Sequence, residues 1–397
     1  MNLKAGILAQ ANKLCPYLED LYHHFHANPE LANKEINTAD KIVKELEKIG
    51  GYDIKKNVGG NGVVATLEGA CKGPMVALRA DMDALAVEEQ TGLKYASNNK
   101  GVMHACGHDA HMTIALGAAR LLAECKPYLK GSVRIIFQPA EELVPNGGAK
   151  QMIEEGALEG VDAIFGLHVF PDPNLGLGTF GFRERELMAA SDKIEVEIIG
   201  KGAHAAQPNQ GVDALVTGAQ FVSIVQSIIS RNVDPLESAV LTFGSFQSGN
   251  QYNIVSEHCL IEGTCRTYDP KIRDLMELRI ENVLSGVCFA AGADYKFKYN
   301  RGYPALINNP EMTEYAKNAA KSLFGDAKVY DIPKPSMTAE DFAVYLKSVP
   351  GTFFFLGCTS APDAKPLHNS GFKLDEDVLW RGVAMFTELA LNFHKIV

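Results

Sequence analysis

No apolar run in this chain of 397 residues approaches the ~20 residues that a membrane-spanning helix needs, so a helical membrane protein is excluded. Blocks of Lys or Arg are missing too. With 38 basic against 48 acidic residues the formal charge is −10, a polyanion would meet net repulsion, and no nucleic-acid partner is expected. Cysteine is scattered. Cys15, Cys71, Cys106, Cys125, Cys259, Cys265, Cys288 and Cys358 lack the dense even spacing of a secreted disulfide scaffold, and several sit inside apolar runs, as buried thiols do. Repeats and low-complexity tracts are absent. The first stretch, "MNLKAGILAQANKLCPYLEDLYHHFH", reads as an amphipathic helix whose apolar patches are too short for a signal sequence, which makes the cytoplasm the expected address. Histidine is scarce as well, at 11 residues, yet three of them crowd into "HACGHDAH" at 104–111, around a thiol.

What is present belongs to an ordinary enzyme. Hydrophobic residues make up 46% and charged residues 22%, enough to bury a sizeable core, and the length favours two domains over one. The first half alternates helical and strand patterns, which predicts an α/β fold of two or three layers around a mostly parallel sheet. "TADKIVKELEKIG" has helical spacing; "GVVATLEG", "PMVALRADMDAL", "SVRIIFQP" and "DAIFGLHV" read as strands. "DAHMTIALGAARLLAEC" reads as a helix with Asp109 as its cap. Asp81, Asp83, Glu141, Glu142 and His168 all follow apolar strand runs, at the ends where open α/β sheets place their sites.

From about residue 189 the order becomes strand, helix, strand, strand, helix, strand, the signature of a ferredoxin-like (βαββαβ) unit. After residue 302 the first pattern returns, with helices at 309–324 and 338–348, the strand "GTFFFLGC" and a last helix from 375. The expected organisation is a discontinuous catalytic domain, 1–188 and 302–397, with an inserted lid or dimerisation domain at 189–301.

Cys106 and His108 are two apart in a loop that leads into a helix, so their side chains point the same way in extended chain. A helix N-terminus favours a thiolate there, and a metal favours it more. Glu141 and Glu142 follow "VRIIFQPA" and project in opposite directions, so one can bind metal while the other serves as general base toward a water. His168 ends a strand and His368 stands in "PLHNSGF". Each feature alone has a plainer reading: a buried thiol beside a surface histidine, a solvated strand end, a satisfied structural histidine. Together Cys106, His108, Glu142, His168 and His368 make five candidate ligands on one face. Three protein ligands and a water are the usual catalytic coordination, and five ligands with one shared supply that number twice.

The segments "RADMDAL", "MHACGHDAH", "FQPAEE", "GLHV", "GAHAAQP", "NIVSE", "GTCRTYDP", "MTAEDFAVY" and "LHNSGF", in that order from residue 79 to 372, resemble the aminoacylase and carboxypeptidase family of two-metal hydrolases. The match is to its branch of N-acyl amino acid amidohydrolases, which includes hippurate hydrolase and the indole-acetyl amino acid hydrolases. The resemblance implies that Cys106 bridges two divalent metals, with His108 and His168 on one and Glu142 and His368 on the other. It makes Glu141 the general base and Asp83 the aspartate that orients a metal-bound histidine. His204 in "GKGAHAAQP" would reach the neighbouring subunit's site and stabilise the oxyanion. Asn253 and Arg266 would hold the substrate carboxylate, the rival role for Arg266 being a pair with Asp269. Two departures stand out: Ser256 where the family usually has proline, and Thr338 and Ala339 where it has a Gly-rich pair.

The expected function is metal-dependent hydrolysis of an N-acyl amino acid, whether hippurate-like, N-acetylated or a small peptide. Zn suits the thiolate and imidazoles, with Mn, Co and Ni open as alternatives. Two rivals stand: a cysteine hydrolase with Cys106 as nucleophile, and a binding protein without turnover. The apolar helix carrying Val216, Ala219, Val222, Ile224, Val225, Ile228 and Ile229 has more hydrophobic surface than one sheet face covers, which predicts a homodimer or homotetramer. No role is assigned to His104 or His111.

Overall fold

A computed structural model of the chain describes residues 3–396. The chain divides into two compact units: Met1–Leu187 with Ile307–Pro335 and Asp341–Val397, and Met188–Leu306 with Ser336–Glu340. Among the described residues no helix is long and apolar enough to cross a membrane.

The first unit is built on an eight-stranded sheet. Six of its strands are β1 (Asp53–Val58), β2 (Gly62–Glu68), β3 (Cys71–Asp81), β4 (Lys130–Gln138), β5 (Ala163–Phe170) and β6 (Phe180–Phe182); the others are Val329–Asp331 and Gly351–Gly357. The order is β1-β2-β4-β3-β5, then Gly351–Gly357, β6 and Val329–Asp331. Its middle, β4, β3, β5 and Gly351–Gly357, is parallel; β1, β2 and the junction of β6 with Gly351–Gly357 are antiparallel. The parallel strands are the near-continuous apolar runs, buried on both faces as such strands must be.

Alternation sorts β3 between two layers. Leu78 and Ala80 join the main core with the helices Cys15–Ala27, Ile36–Ile49, His108–Glu124 and Val378–Asn392. On the other face Phe342 of the short helix Phe342–Tyr345 packs on Phe353 at 5.0 Å. Helices therefore flank both faces, and the C-terminal ends of four parallel strands open on one edge.

Local expectations are corrected at three places. Asp109 does not cap the helix His108–Glu124; Gly107 precedes it with φ +83°, and Asp109 lies in its first turn, where its Oδ2 accepts from His26 Nδ1 at 2.7 Å. The helix expected at 338–348 is reduced to Phe342–Tyr345, because the Asp341 carboxylate is committed to Arg79, Gln138 and the Ala149 amide. The long helix of the second unit breaks at Gln226 into Ala214–Val225 and Ser227–Asn232.

The second unit has a four-stranded antiparallel sheet ordered Ala239–Ser248, His258–Thr267, Ala190–Ile199, Asp294–Arg301. In chain order its strands pair as 2-3-1-4, the ferredoxin-like arrangement. Ile194, Val196, Ile198, Cys259 and Ile261 pack with Phe221, Val225, Ile280 and Leu284 of the helices Ala214–Val225 and Pro270–Ala291. Asp213 caps the first of these helices through the Leu215 and Val216 amides, and Asp269 the second through the Lys271 amide.

Candidate metal centre

Six side chains named from the sequence meet at the open edge of the first unit. β4 runs through Pro139 into Ala140, whose φ of +56° turns the chain so that Glu141 and Glu142 follow directly. β5 carries His168 two residues before its end. His368, in the loop after Gly351–Gly357, is pinned by its own amide, which donates to the Ala105 carbonyl at 2.8 Å. That bond fastens the His368 loop to the residue before Cys106.

The donor atoms converge. Cys106 Sγ lies 3.4 Å from His168 Nε2, and His368 Nε2 lies 3.0 Å from Glu142 Oε1. Ligand atoms of Cys106, His108 and His168 lie within 4.8 Å of one another, as do those of Cys106, Glu142 and His368, and those of His108, Glu141 and Glu142. Cys106 is thus common to two groups. Asp83 stands behind them: its main-chain carbonyl accepts from His108 Nδ1 at 2.9 Å, its Oδ1 lies 3.3 Å from that nitrogen, and its Oδ2 accepts the Glu142 amide at 3.0 Å. The shortest contact to the histidine is made by the backbone of Asp83, not its carboxylate. The opposite nitrogen, His108 Nε2, is buried without a hydrogen-bond partner among the described residues.

The electrostatics fit a cation more than a nucleophile. Burial, then Glu142 and Glu141, push the Cys106 thiol well up. Burial opposes a charge on His108, but Asp81 and Asp83 outweigh it and carry the ring up to about 10. Burial and His111 push His168 down. Burial opposes the Glu142 carboxylate, but the His368 bond and His108 hold it below its ordinary range. His168 does reach the thiol, a partner the sequence left unconsidered for a cysteine nucleophile. Yet a nucleophilic cysteine needs surroundings that lower its pKa, and carboxylates at this distance do the reverse.

Three further candidates lie in the second unit. Exposed His204 ends the short strand Ala203–His204, which pairs with Ile254–Val255, and its Nδ1 accepts the Ala206 amide at 3.0 Å. The Asn253 carbonyl accepts the Ala205 amide at 3.0 Å, which ties Asn253 to the His204 segment. Arg266, half-buried on His258–Thr267, makes no ion pair with Asp269, whose carboxylate is spent on its helix cap. Ser256 closes its turn by bonding Ser248 Oγ, the Gly249 amide and the His258 carbonyl, a hydroxyl's work that proline could not do.

Sequence reasoning missed a layer beneath the cluster: Arg79, Gln138, His111 and Asp341, all buried and hydrogen-bonded. The one available signal was an arginine inside the apolar run "PMVALRAD". His104 is also buried; desolvation lowers its ring to about 4, and neither nitrogen has a hydrogen-bond partner among the described residues.

Residues 77–392 match the family model "Peptidase family M20/M25/M40". The chain is 42% identical over 356 residues to N-acetyl-L-cysteine deacetylase of Bacillus subtilis, covering 90% of this chain and 83% of that one. It is 36% identical over 394 residues to IAA-amino acid hydrolase ILR1-like 4 of Arabidopsis thaliana, covering 97% and 88%. Among solved structures, the Bacillus subtilis YXEP protein, described as a dinuclear metal binding peptidase, superposes with a TM-score of 0.84 at 33% identity, over 97% of this chain and 99% of that one. With a family match across most of its length and a fold to go with it, the chain belongs to peptidase family M20/M25/M40 and is a hydrolase.

Proposed function

We propose that the protein hydrolyses the amide bond of N-acyl amino acids with the help of two divalent cations. The observation that carries this reading is the pair of donor groups sharing Cys106, one completed by His108 and His168 and the other by Glu142 and His368. The residues suit cations on two further counts. His108 offers a buried Nε2 that makes no hydrogen bond among the described residues and lies 3.7 Å from Asp81 Oδ2, and a thiol, two carboxylates and three imidazoles form a donor set that needs positive charge when deprotonated. Zn fits these ligands, with Mn, Co and Ni as alternatives. What such a pair supplies when bound is Lewis acidity, which makes water a nucleophile near neutral pH.

The chain's own groups do the rest. Glu141 takes a proton from the attacking water and passes it to the leaving amine. Asp83 fixes the His108 ring through Nδ1, leaving Nε2 for ligation. His204, contributed by a neighbouring subunit, donates toward the developing oxyanion. Asn253 and Arg266 hold the substrate's free carboxylate; the lack of any ion pair at Arg266 among the described residues leaves its fork available for one. The products are a carboxylic acid and an amino acid. The relatives named for N-acetylcysteine and IAA-amino acid substrates support this class without choosing the acyl group. A cytoplasmic address suits the eight unpaired thiols, and a homodimer or homotetramer suits the exposed apolar side chains of the second unit.

The test is a hydrolysis screen over acetyl, benzoyl, indole-acetyl and dipeptide substrates with metal-reconstituted protein and Glu141→Ala as the blank. Turnover should fall by about 10²–10⁴-fold in the variant while bound metal is retained. Activity that survives exhaustive EDTA but not thiol alkylation would establish the cysteine mechanism instead. Metal-reconstituted wild type that binds N-acyl amino acids but hydrolyses none of them above the Glu141→Ala blank would revive the binding protein.

A further inference from the structure

Beneath the donor cluster the first unit buries a polar network that the proposed chemistry does not use. Arg79, 1% exposed, donates from Nη1 to Asp81 Oδ2 at 2.6 Å, from Nη2 to Asp341 Oδ1 at 2.8 Å and from Nε to Gln138 Oε1 at 2.9 Å. The second oxygen of Asp81, Oδ1, accepts from His111 Nδ1 at 2.6 Å. The far nitrogen of that ring, Nε2, accepts the main-chain N–H of Val169 at 2.9 Å. Val169 follows His168, whose Nδ1 donates to the Val169 carbonyl at 2.7 Å. Three hydrogen bonds thus run from Arg79 to the Val169 N–H, and a fourth joins the carbonyl of the same residue to the ring of His168.

Asp81, His108 and His111 also bring ligand atoms within 4.8 Å of one another, so composition alone would admit a further cation there. The hydrogen bonds decide against it. A ring nitrogen that accepts an amide N–H carries no proton, so the proton of His111 sits on Nδ1 and is given to Asp81; both nitrogens are spent, and both Asp81 oxygens are bonded. We propose that His111 is a positioning residue and not a ligand: Arg79 and Asp81 lock its tautomer, its Nε2 holds the Val169 N–H, and Val169 so held orients the His168 ring through its carbonyl, turning Nε2 toward the cation it would serve. The inference rests on the two-cation reading and adds a residue to which that reading gave no role.

The test titrates metal-free wild type, His111→Asn and His111→Gln with Zn²⁺ against a chromophoric chelator. Gln can extend Oε1 to the Val169 amide, whereas Asn is too short to reach it and keeps only the Asp81 contact. Wild type should bind two equivalents. His111→Asn should weaken one of the two by about 10–100-fold and leave the other unchanged, and His111→Gln should recover most of the loss. Unchanged affinities in His111→Asn would overturn the proposal. So would a third equivalent in wild type that both variants lose. Wild type that binds no cation would sink the two-cation reading itself, a result distinct from either. Should His111→Asn fail to fold, the ¹⁵N shifts of His111 in wild type decide: a protonated Nδ1 with a bare Nε2 is expected, and the reverse tautomer overturns the relay.

Discussion

Gly107 separates Cys106 from His108 with φ +83°, a region that costs an L side chain roughly 1–2 kcal/mol. A Cβ there would lie 2.4 Å from Val169 Cγ2, beside His168. Gly107→Ala should therefore lose about 1–3 kcal/mol in urea unfolding and bind Zn²⁺ more weakly in chelator competition. A variant equal to wild type in both would mean that Val169 gives way without disturbing His168. His26 supplies a second residue-scale test. Burial opposes its charge, but its bonds to Asp109 and Glu89 hold the ring up to about 9, above the ordinary 6.5. A folded value above the unfolded one stabilises fully below pH 6.5 and fades as pH rises through 9, a swing of about 3 kcal/mol. Urea unfolding from pH 6.5 to 9 should show His26→Asn closing on wild type by that order; a constant gap would mean the pair does not titrate with folding. The candidate ligands were legible because each is a polar residue that ends an apolar strand or opens a loop. Asp81 fits that same pattern while Arg79 lies within β3 and His111 within the helix His108–Glu124, and only the pairing of their atoms separates support from ligation.

Among the elements, the parallel strands were the most legible, since a run such as "MVALRAD" buried on both faces needs no alternation. Caps and short helices were not, because tertiary bonds decide them: His26 claims the Asp109 carboxylate, and Arg79 with Gln138 claims that of Asp341. Helix packing is likewise hidden in sequence. The helix His108–Glu124 meets Val378–Asn392 at two glycines, where a Cβ on Gly117 would lie 2.5 Å from Val383 Cγ2 and one on Gly382 2.6 Å from Ile114 Cδ1 and 2.9 Å from its Cγ2. Ile114 is stiff at that branch point. Gly382→Val should cost about 1–3 kcal/mol in urea unfolding, although a helix interior otherwise prefers a side chain to none. Removing the obstacle with Ile114→Ala should return part of that loss in the double variant. Additive losses would show that the two positions do not share the space.

At the scale of the molecule, the change of pattern near residue 189 and its return after 302 gave the expectation of an inserted domain, while the chain divides at Met188 and Leu306 with Ser336–Glu340 added to the second unit, and how copies would associate is a matter of what each unit leaves uncovered. In the second unit Phe221 and Val225 of Ala214–Val225 are buried, while Leu215 (42% exposed), Val216 (48%) and Ile224 (48%) are not. Beside them the sheet ends on Ala239–Ser248, an edge strand without a charged residue, where native edges usually carry one to prevent pairing. A formal charge of −10 opposes association at long range, so a contact between copies would have to be apolar and short-ranged. The double variant Val216→Glu, Ile224→Glu should sediment as a monomer where wild type sediments as a dimer or tetramer, and its activity should fall if His204 acts across the interface. Mixed subunits separate that role from simple stability. His204→Ala and Glu141→Ala chains are each expected to be inactive alone, but a heterodimer unites the intact Glu141 of one with the intact His204 of the other. Random reassociation of a two-fold dimer then restores about a quarter of wild-type activity. No recovery on mixing, in dimers verified by sedimentation, would return His204 to its own subunit.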